Sequence, residues 1–395
     1  MWPPSRTFWT DDFPLATENG VKPFLFKALI PQRLAGEAIF AETFRDGTLA
    51  AAYRTGSAKA RVYINEDRRE DLLRQVIDGQ IGRNEDVEAY IRRVTGEARF
   101  GFVVNNLERV SHSLAEELGL FLSSMFAVRG IPIGGVEQVS FAGNYSSTAF
   151  GIHEGFEHAF LCHFGPGTKH FYCWSQQTYL KLSGGSRSPT FGDFMQWLQF
   201  GELFIMEPGD VLYLPARVYH VGRQSEYSLS VALPLYTYPL KRFIAKVIVP
   251  SLLEDVPFEE EGMSNSIPVQ DVSPFHDDVA QEAKGLFDHW SSSAIRLFLD
   301  QYLLKLVSNG GWEIINKPVE DFDNLLSCDV MKDPAIYALP EPYRALWQRG
   351  LNCGEDEVRV FVRGESKVFK AEPFIMAFLE TQQKPTMPSQ WMEMV

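Results

Sequence analysis

The chain has 395 residues, about two to three times the length of a typical single-core domain, so more than one folding unit is expected. Its content of 45% hydrophobic and 13% aromatic residues is that of a globular protein and excludes intrinsic disorder as the main state. The net charge of −14 argues against a nucleic-acid partner. The absence from the sequence of a membrane-length apolar run, and of a signal-peptide pattern at the amino terminus, predicts a cytoplasmic protein with no membrane contact.

The first 130 residues or so are predicted to mix helices and strands. Apolar residues at helical spacing predict helices over residues 68–77, 86–94 and 113–125. The apolar run at residues 100–104 is typical of a buried strand.

From about residue 135 to 238 the pattern changes to short apolar runs separated by Gly and Pro. Strands are expected at 136–140, 159–164, 170–174, 203–206, 211–214 and 229–233. Short strands at this spacing predict a β-sandwich or a small barrel.

The chain after the barrel divides into three further parts. Residues 251–278 are acidic and contain several prolines, which is typical of a linker or surface loop. Helical periodicity returns over residues 279–310, and residues 311–395 form a last module with a hairpin turning at Gly364-Glu365 and a closing helix. Acidic residues outnumber basic ones in that module, so docking or dimerisation is favoured over nucleic-acid binding.

Histidines are the candidates for chemistry, because five of the eight fall inside the predicted barrel. His153 precedes a strand and lies beside carboxylates, as a first metal ligand at a barrel mouth would. His220 follows the turn Pro208-Gly209-Asp210, a short strand and a further corner. Two histidines and a carboxylate on one face are the ligand set of non-heme Fe(II) oxygenases.

These motifs resemble the JmjC or cupin-like double-stranded β-helix of the Fe(II)- and 2-oxoglutarate-dependent oxygenases. The resemblance implies an α+β fold, with a jelly-roll barrel and flanking helices inside an oxygenase domain of residues 1–250. The order of modules is similar to the ribosomal-oxygenase branch, in which the helical segment forms a dimer interface and the last module is winged-helix-like. The implied cofactors are Fe(II) and 2-oxoglutarate, and the implied partners are a peptide or protein substrate and a second copy of the chain.

Matching the family pattern position by position assigns His153 as the first iron ligand and His220 as the last. Lys169 matches the basic residue that pairs with the distal carboxylate of 2-oxoglutarate, since a partly buried carboxylate must be paired. The residues assigned to contribute hydroxyl groups to the co-substrate are Tyr145, Thr148 and Ser230, with Ser147 and Ser228 as further candidates.

The sequence departs from the family at the metal-binding carboxylate, where Gly155 stands two residues after His153. Iron held by two histidines would leave a position for chloride, as in radical halogenases. Alternatively, Glu157, Glu154 or His158 completes the metal site and ordinary hydroxylation follows. Strand alternation predicts that Glu154 points away from the metal. In a third interpretation the site is degraded and the barrel only binds a partner.

The predicted function is therefore oxidation of an unactivated C–H bond in a peptide, protein or amino-acid-like substrate, by hydroxylation or halogenation. A small molecule or carrier-bound amino acid is the alternative substrate. A catalytically inactive binding and dimerisation scaffold is the alternative function.

Overall fold

The computed structural model describes residues 2–44, 47–65, 67–96, 99–146, 150–192, 194–254, 280–281, 283–285, 290–314, 341–351 and 353–382. The described residues form two compact units. One comprises those within Met1–Thr237 and Gly310–Tyr343, and the other those within Tyr238–Asn309 and Arg344–Gln390. The predicted acidic linker lies outside the described residues from 255 onward.

Twelve described strands of the first unit build two antiparallel sheets that face each other. They are β1 Phe24–Phe26, β2 Lys59–Ile64, β3 Asp67–Arg68, β4 Phe100–Asn105, β5 Val139–Gly143, β6 His153–Glu154, β7 His158–Pro166, β8 Lys169–Trp174, β9 Glu202–Met206, β10 Val211–Leu214, β11 Tyr219–Arg223 and β12 Ser228–Leu235. The larger sheet has the order β1-β10-β7-β12-β5-β4-β2-β3, and the smaller has the order β6-β11-β8-β9. The architecture is the predicted α+β jelly-roll barrel with flanking helices.

Helices pack on the larger sheet, except Gln176–Leu182, whose Tyr179 packs against residues of β8 and β11 in the smaller sheet. Those of the first unit are Phe13–Ala16, Ala38–Glu42, Thr48–Thr55, Glu70–Asp78, Val87–Thr95, His112–Arg129 and Gln176–Leu182. The three predicted from apolar spacing are confirmed, with bounds that differ by one to four residues. Of the helices that the structure describes, none combines the length and the apolar character needed to span a bilayer.

Strand alternation in β12 decides which surface of the larger sheet faces the barrel interior. Leu229, Val231 and Leu233 belong to the core shared with the outer helices. Ala232 and Pro234, on the opposite face, line a cavity between the two sheets. Because successive side chains of a strand point to opposite faces, one apolar strand serves both the core and the cavity.

The turn at Pro208-Gly209-Asp210 is held by the Asp210 side chain. Its carboxylate is 2% exposed and accepts hydrogen bonds from the backbone N–H groups of Ala28 and Glu207 and from Lys27 Nζ at 2.8 Å. Gly209 has φ +98°, a conformation that favours glycine. This turn therefore fixes the start of β10 and contributes no group to the cavity.

The second unit contains the helices Leu240–Phe243, Val249–Glu254, Ser292–Ser308 and Pro373–Gln382 and a three-stranded sheet. Its strands are β13 Leu346–Arg349, β14 Glu357–Val362 and β15 Glu365–Lys370, in that order. The predicted hairpin is confirmed, but its turn lies one residue earlier, at Arg363 and Gly364. Both have positive φ, as the tight turn between twisted antiparallel strands requires. Residues 315–340, part of the predicted winged-helix-like module, lie outside the described residues.

Candidate metal centre

His153 and His220 meet in the cavity between the two sheets. β6 and β11 pair in a register that sets these two residues opposite each other, and their ring centroids are 4.4 Å apart. Both side chains line the cavity, which has a volume of about 200 Å³. Two histidines separated by 67 positions in sequence are thus brought together by one antiparallel strand pair.

The hydrogen bonds of the two rings leave one nitrogen of each available to a metal. Nδ1 of His153 lies 3.1 Å from the carbonyl oxygen of Gly151, and Nδ1 of His220 lies 3.2 Å from that of Val218. A carbonyl oxygen only accepts, so Nδ1 must carry the proton, and Nε2 of a neutral ring keeps its lone pair. Burial lowers the pKa of both histidines, that of His220 to about 3, where the neighbouring His153 contributes further.

Gly155 lies directly against the His220 ring. A Cβ built on Gly155 would stand 3.1 Å from Cε1 of His220. The Gly155 backbone is fixed by hydrogen bonds from its N–H to the Val218 carbonyl and from the Arg217 N–H to its own carbonyl. A side chain at this position would therefore project toward the His220 ring, and glycine leaves that space open.

Among the described residues, no three His, Cys, Asp or Glu side chains are placed to hold one metal ion together. Glu154 turns away, as alternation predicts, and its carboxylate is bound by Arg217 at 3.0 Å and by the Tyr219 hydroxyl at 3.4 Å. His158 Nδ1 is 2.7 Å from the Tyr213 hydroxyl, outside the cavity. Glu157 lines the cavity and is half-buried, but it is not placed to form a three-residue ligand set with the two histidines.

Lys169 places an ammonium group in the same cavity. It is 1% exposed, and its Nζ donates to the Tyr145 hydroxyl and to Oε1 of Gln224, each at 3.0 Å. No carboxylate of the described chain forms an ion pair with it, and burial lowers the pKa of Lys169 to about 7. Because a buried cation without a counter-charge is costly, this geometry favours an anionic ligand beside Lys169.

Gln224 was missed in the sequence analysis, yet it determines where the Lys169 ammonium lies. Its Nε2 donates to the carbonyl oxygens of Gly143 and Ser228, so its Oε1 is turned toward Lys169. Gln224 is 1% exposed. The sequence shows only a glutamine directly after a strand, and its burial and its partner are known from the fold.

The hydroxyl candidates have different surroundings. Tyr145 contacts Lys169 directly, and burial raises the pKa of Tyr145. Ser230 donates its hydroxyl to Nδ1 of His163, whose Nε2–H is bound by the Gly167 carbonyl. Ser230 is therefore engaged by His163 and does not line the cavity. Thr148 and Ser147 lie outside the described residues.

The cavity residues fit a divalent transition metal and an acidic co-substrate. The metal would be held by the two Nε2 atoms, nitrogen donors that suit iron, and the co-substrate carboxylate by Lys169. The remaining walls are largely apolar. They include Val139, Phe141, Phe150, Ala159, Leu161, Phe171, Leu214 and Ala232.

Comparison with known families identifies a JmjC domain over residues 138–241. The predicted resemblance to the JmjC class is thereby confirmed for the part of the chain that builds the barrel and carries His153, Lys169 and His220. No protein with a curated description matches the sequence.

The chain is also similar to solved structures of the Escherichia coli ribosomal oxygenase YcfD. The complex with cobalt and succinic acid is 13% identical, with a TM-score of 0.39 over 97% of this chain and 92% of that one. The complex with cobalt and 2-oxoglutarate is 13% identical, with a TM-score of 0.38 over 95% and 91%. A further X-ray structure of YcfD is 13% identical, with a TM-score of 0.41 over 94% of this chain and 95% of that one. At this level of similarity, the assignment of function depends on the cavity residues themselves.

Proposed function

We propose that this protein is an Fe(II)- and 2-oxoglutarate-dependent oxygenase that oxidises an unactivated C–H bond of a peptide or protein substrate. One observation carries the proposal. A single cavity contains two paired imidazoles with available Nε2 atoms and a buried ammonium that has no carboxylate partner in the described chain. A barrel that served only as a scaffold would have no need for this combination.

Each cavity residue has a distinct task in this proposal. His153 and His220 bind the metal, with their rings oriented by backbone carbonyls. Lys169 binds the distal carboxylate of 2-oxoglutarate, and Tyr145 and Gln224 hold its ammonium in place. The apolar walls exclude water from the reacting groups. When bound, Fe(II) and 2-oxoglutarate supply the oxidation by O2, with 2-oxoglutarate converted to succinate and carbon dioxide.

The proposal is tested by measuring Fe(II) binding under anaerobic conditions to the wild type and to His153→Ala and His220→Ala. We expect each variant to lose most of its iron affinity while its thermal unfolding stays close to wild type, because both rings line a cavity instead of filling the core. His170→Ala is the matched control, since His170 lies on β8 beside Lys169 but outside the cavity lining. Full iron affinity in either site variant would refute the assignment.

The open space at Gly155 supports a metal site without a family carboxylate. Chloride or bromide should then perturb the spectrum of the Fe(II)–2-oxoglutarate complex, and Gly155→Asp should abolish that response, because an anion and a carboxylate compete for one coordination position. Gly155→Ala is the control, since it adds the Cβ that crowds His220 without adding a carboxylate. If Glu157 completes the site instead, halide has no effect on the wild type and Glu157→Ala weakens iron binding.

The proposed substrate is a peptide or protein, and a homodimer is the proposed assembly. The order of barrel, helical segment and carboxy-terminal module supports both. Succinate formation that depends on an added peptide would support a peptide substrate, and the molecular mass in solution tests the dimer.

A further inference from the structure

A second cavity adjoins the metal centre at His153. Its volume is about 420 Å³. Phe150 and His153 line both cavities, so this one, called here the mouth groove, shares a wall with the site. The groove is further lined by Glu154, Phe156, Arg187 and Phe191.

Two phenylalanine rings of the mouth groove are exposed. Phe156 is 58% and Phe191 is 64% exposed. The guanidinium of Arg217 lies 5.5 Å from the Phe156 ring centroid. Exposed aromatic side chains beside a functional cavity are typical of a binding surface, and they suit a flat or apolar group.

Of the two charged residues that line the mouth groove, Glu154 is already paired and Arg187 is available to a ligand. The Glu154 side chain is 7% exposed, and both of its carboxylate oxygens are engaged, one by Arg217 and the other by Tyr219. Arg187 also lines the groove, and no carboxylate of the described chain forms an ion pair with it. The groove thus presents an uncompensated positive charge, although the whole chain carries −14.

The loop that carries Arg187 and Phe191 is anchored beside the metal ligand. Thr190 and Ile152 exchange two backbone hydrogen bonds of 2.9 Å, and Ile152 directly precedes His153. The Tyr179 hydroxyl contacts the Ser188 carbonyl and the Thr190 hydroxyl. The rim of the groove is therefore held at a fixed position relative to His153, as a preorganised binding site requires.

We propose that the mouth groove determines substrate specificity, and that it selects an aromatic side chain adjacent to a carboxylate in an acidic peptide segment. This inference rests on the proposed function. Phe156 and Phe191 hold the aromatic group, and Arg187 pairs with the carboxylate. A lysine- or arginine-rich segment is rejected, because the carboxylate of Glu154 is already occupied and Arg187 repels a second cation.

The test uses two peptides that differ at one position, where one carries an acidic and the other a basic side chain. They are N-acetyl-Gly-Asp-Phe-Gly-amide and N-acetyl-Gly-Lys-Phe-Gly-amide, and their binding is measured by calorimetry. We expect the wild type to bind the aspartate peptide about fivefold more tightly, the size of one exposed ion pair. Arg187→Glu should reverse the order. Lys181→Glu, a charge reversal at an exposed lysine outside the groove, should retain it. Phe191→Ala should weaken both peptides.

Equal binding of the two peptides, no binding of either, or an unchanged order in Arg187→Glu would overturn the proposal. N-acetylphenylalanine, which carries its own carboxylate, tests whether the groove prefers a small aromatic acid to a peptide. Tighter binding of that compound than of the aspartate peptide would refute the peptide substrate. Fe(II) and 2-oxoglutarate binding are measured in parallel. Their absence in a wild type that still distinguishes the peptides would refute the oxygenase and leave the groove assignment intact.

Discussion

Replacing Lys169 with methionine separates the cost of this residue in folding from its role in binding. Burial lowers the pKa of Lys169 from 10.5 to about 7, so its charged form is disfavoured by a few kcal/mol at about 1.36 kcal/mol per unit. Methionine removes the charge but leaves Oε1 of Gln224 without its donor, which costs about 1–3 kcal/mol. These effects oppose each other and the first is the larger, so we expect the unfolding free energy of the ligand-free protein at neutral pH to rise by about 2–4 kcal/mol.

The same Lys169→Met substitution should strongly weaken the binding of 2-oxoglutarate. A charge-assisted contact to a carboxylate contributes about 1.5–3 kcal/mol, so Lys169→Met should weaken 2-oxoglutarate by about one to two decades. The assay is anaerobic calorimetry with Fe(II) present. About one pH unit above the pKa of Lys169, the wild type should take up nearly one proton per 2-oxoglutarate, because the bound dianion restores the ammonium. The variant should take up none at this site.

The sign of the pH dependence follows from the same shift. The unfolded chain holds a proton on Lys169 up to about pH 10.5, whereas the folded ligand-free protein loses it near 7. The unfolded state therefore binds more protons between these values, and this residue's contribution to stability rises with pH across that window. Lys169→Met lacks this contribution, and Lys181→Met, at an exposed lysine, is the control. A loss of several kcal/mol in stability with unchanged 2-oxoglutarate affinity would refute the binding role.

Three further variants test neighbouring parts of the site. Gln224→Glu places a carboxylate against Lys169. That carboxylate should compete for the ammonium and weaken the affinity for 2-oxoglutarate at least tenfold. An unchanged affinity in calorimetry would contradict this. Gly222→Ala should weaken the affinity for 2-oxoglutarate several-fold, because the added Cβ would stand 3.1 Å from Cε of Lys169. The affinity for iron should stay unchanged in this variant. Glu154→Gln should retain iron affinity within about twofold, since that carboxylate binds Arg217 and Tyr219. A large decrease in iron affinity would show that Glu154 is a metal ligand.

The sequence was informative about the barrel because its strands are short, apolar and separated by turn residues. Strand alternation also predicted correctly that Glu154 turns away from His153. The family motif drew attention to His153, Lys169 and His220, and the structure brings all three to one cavity. These predictions depend on the order of residues within short segments, and that order can be seen directly in the sequence.

Gln224 and Arg187 could not be assigned in the same way. Gln224 becomes meaningful only when the fold sets its amide between two backbone carbonyls and Lys169. Arg187 lines the mouth groove because Thr190 of its loop pairs with Ile152, which lies far from it in sequence. Contacts of this kind arise from tertiary structure and have no local periodicity to reveal them.

The most direct test of the central claim is an anaerobic titration of the wild type with Fe(II) in the presence of 2-oxoglutarate, followed by visible absorption. The cavity predicts a weak charge-transfer band that saturates at one iron per chain and disappears in His153→Ala and His220→Ala. A wild type that develops no band and binds no iron would contradict the oxygenase and favour a barrel that only binds a partner.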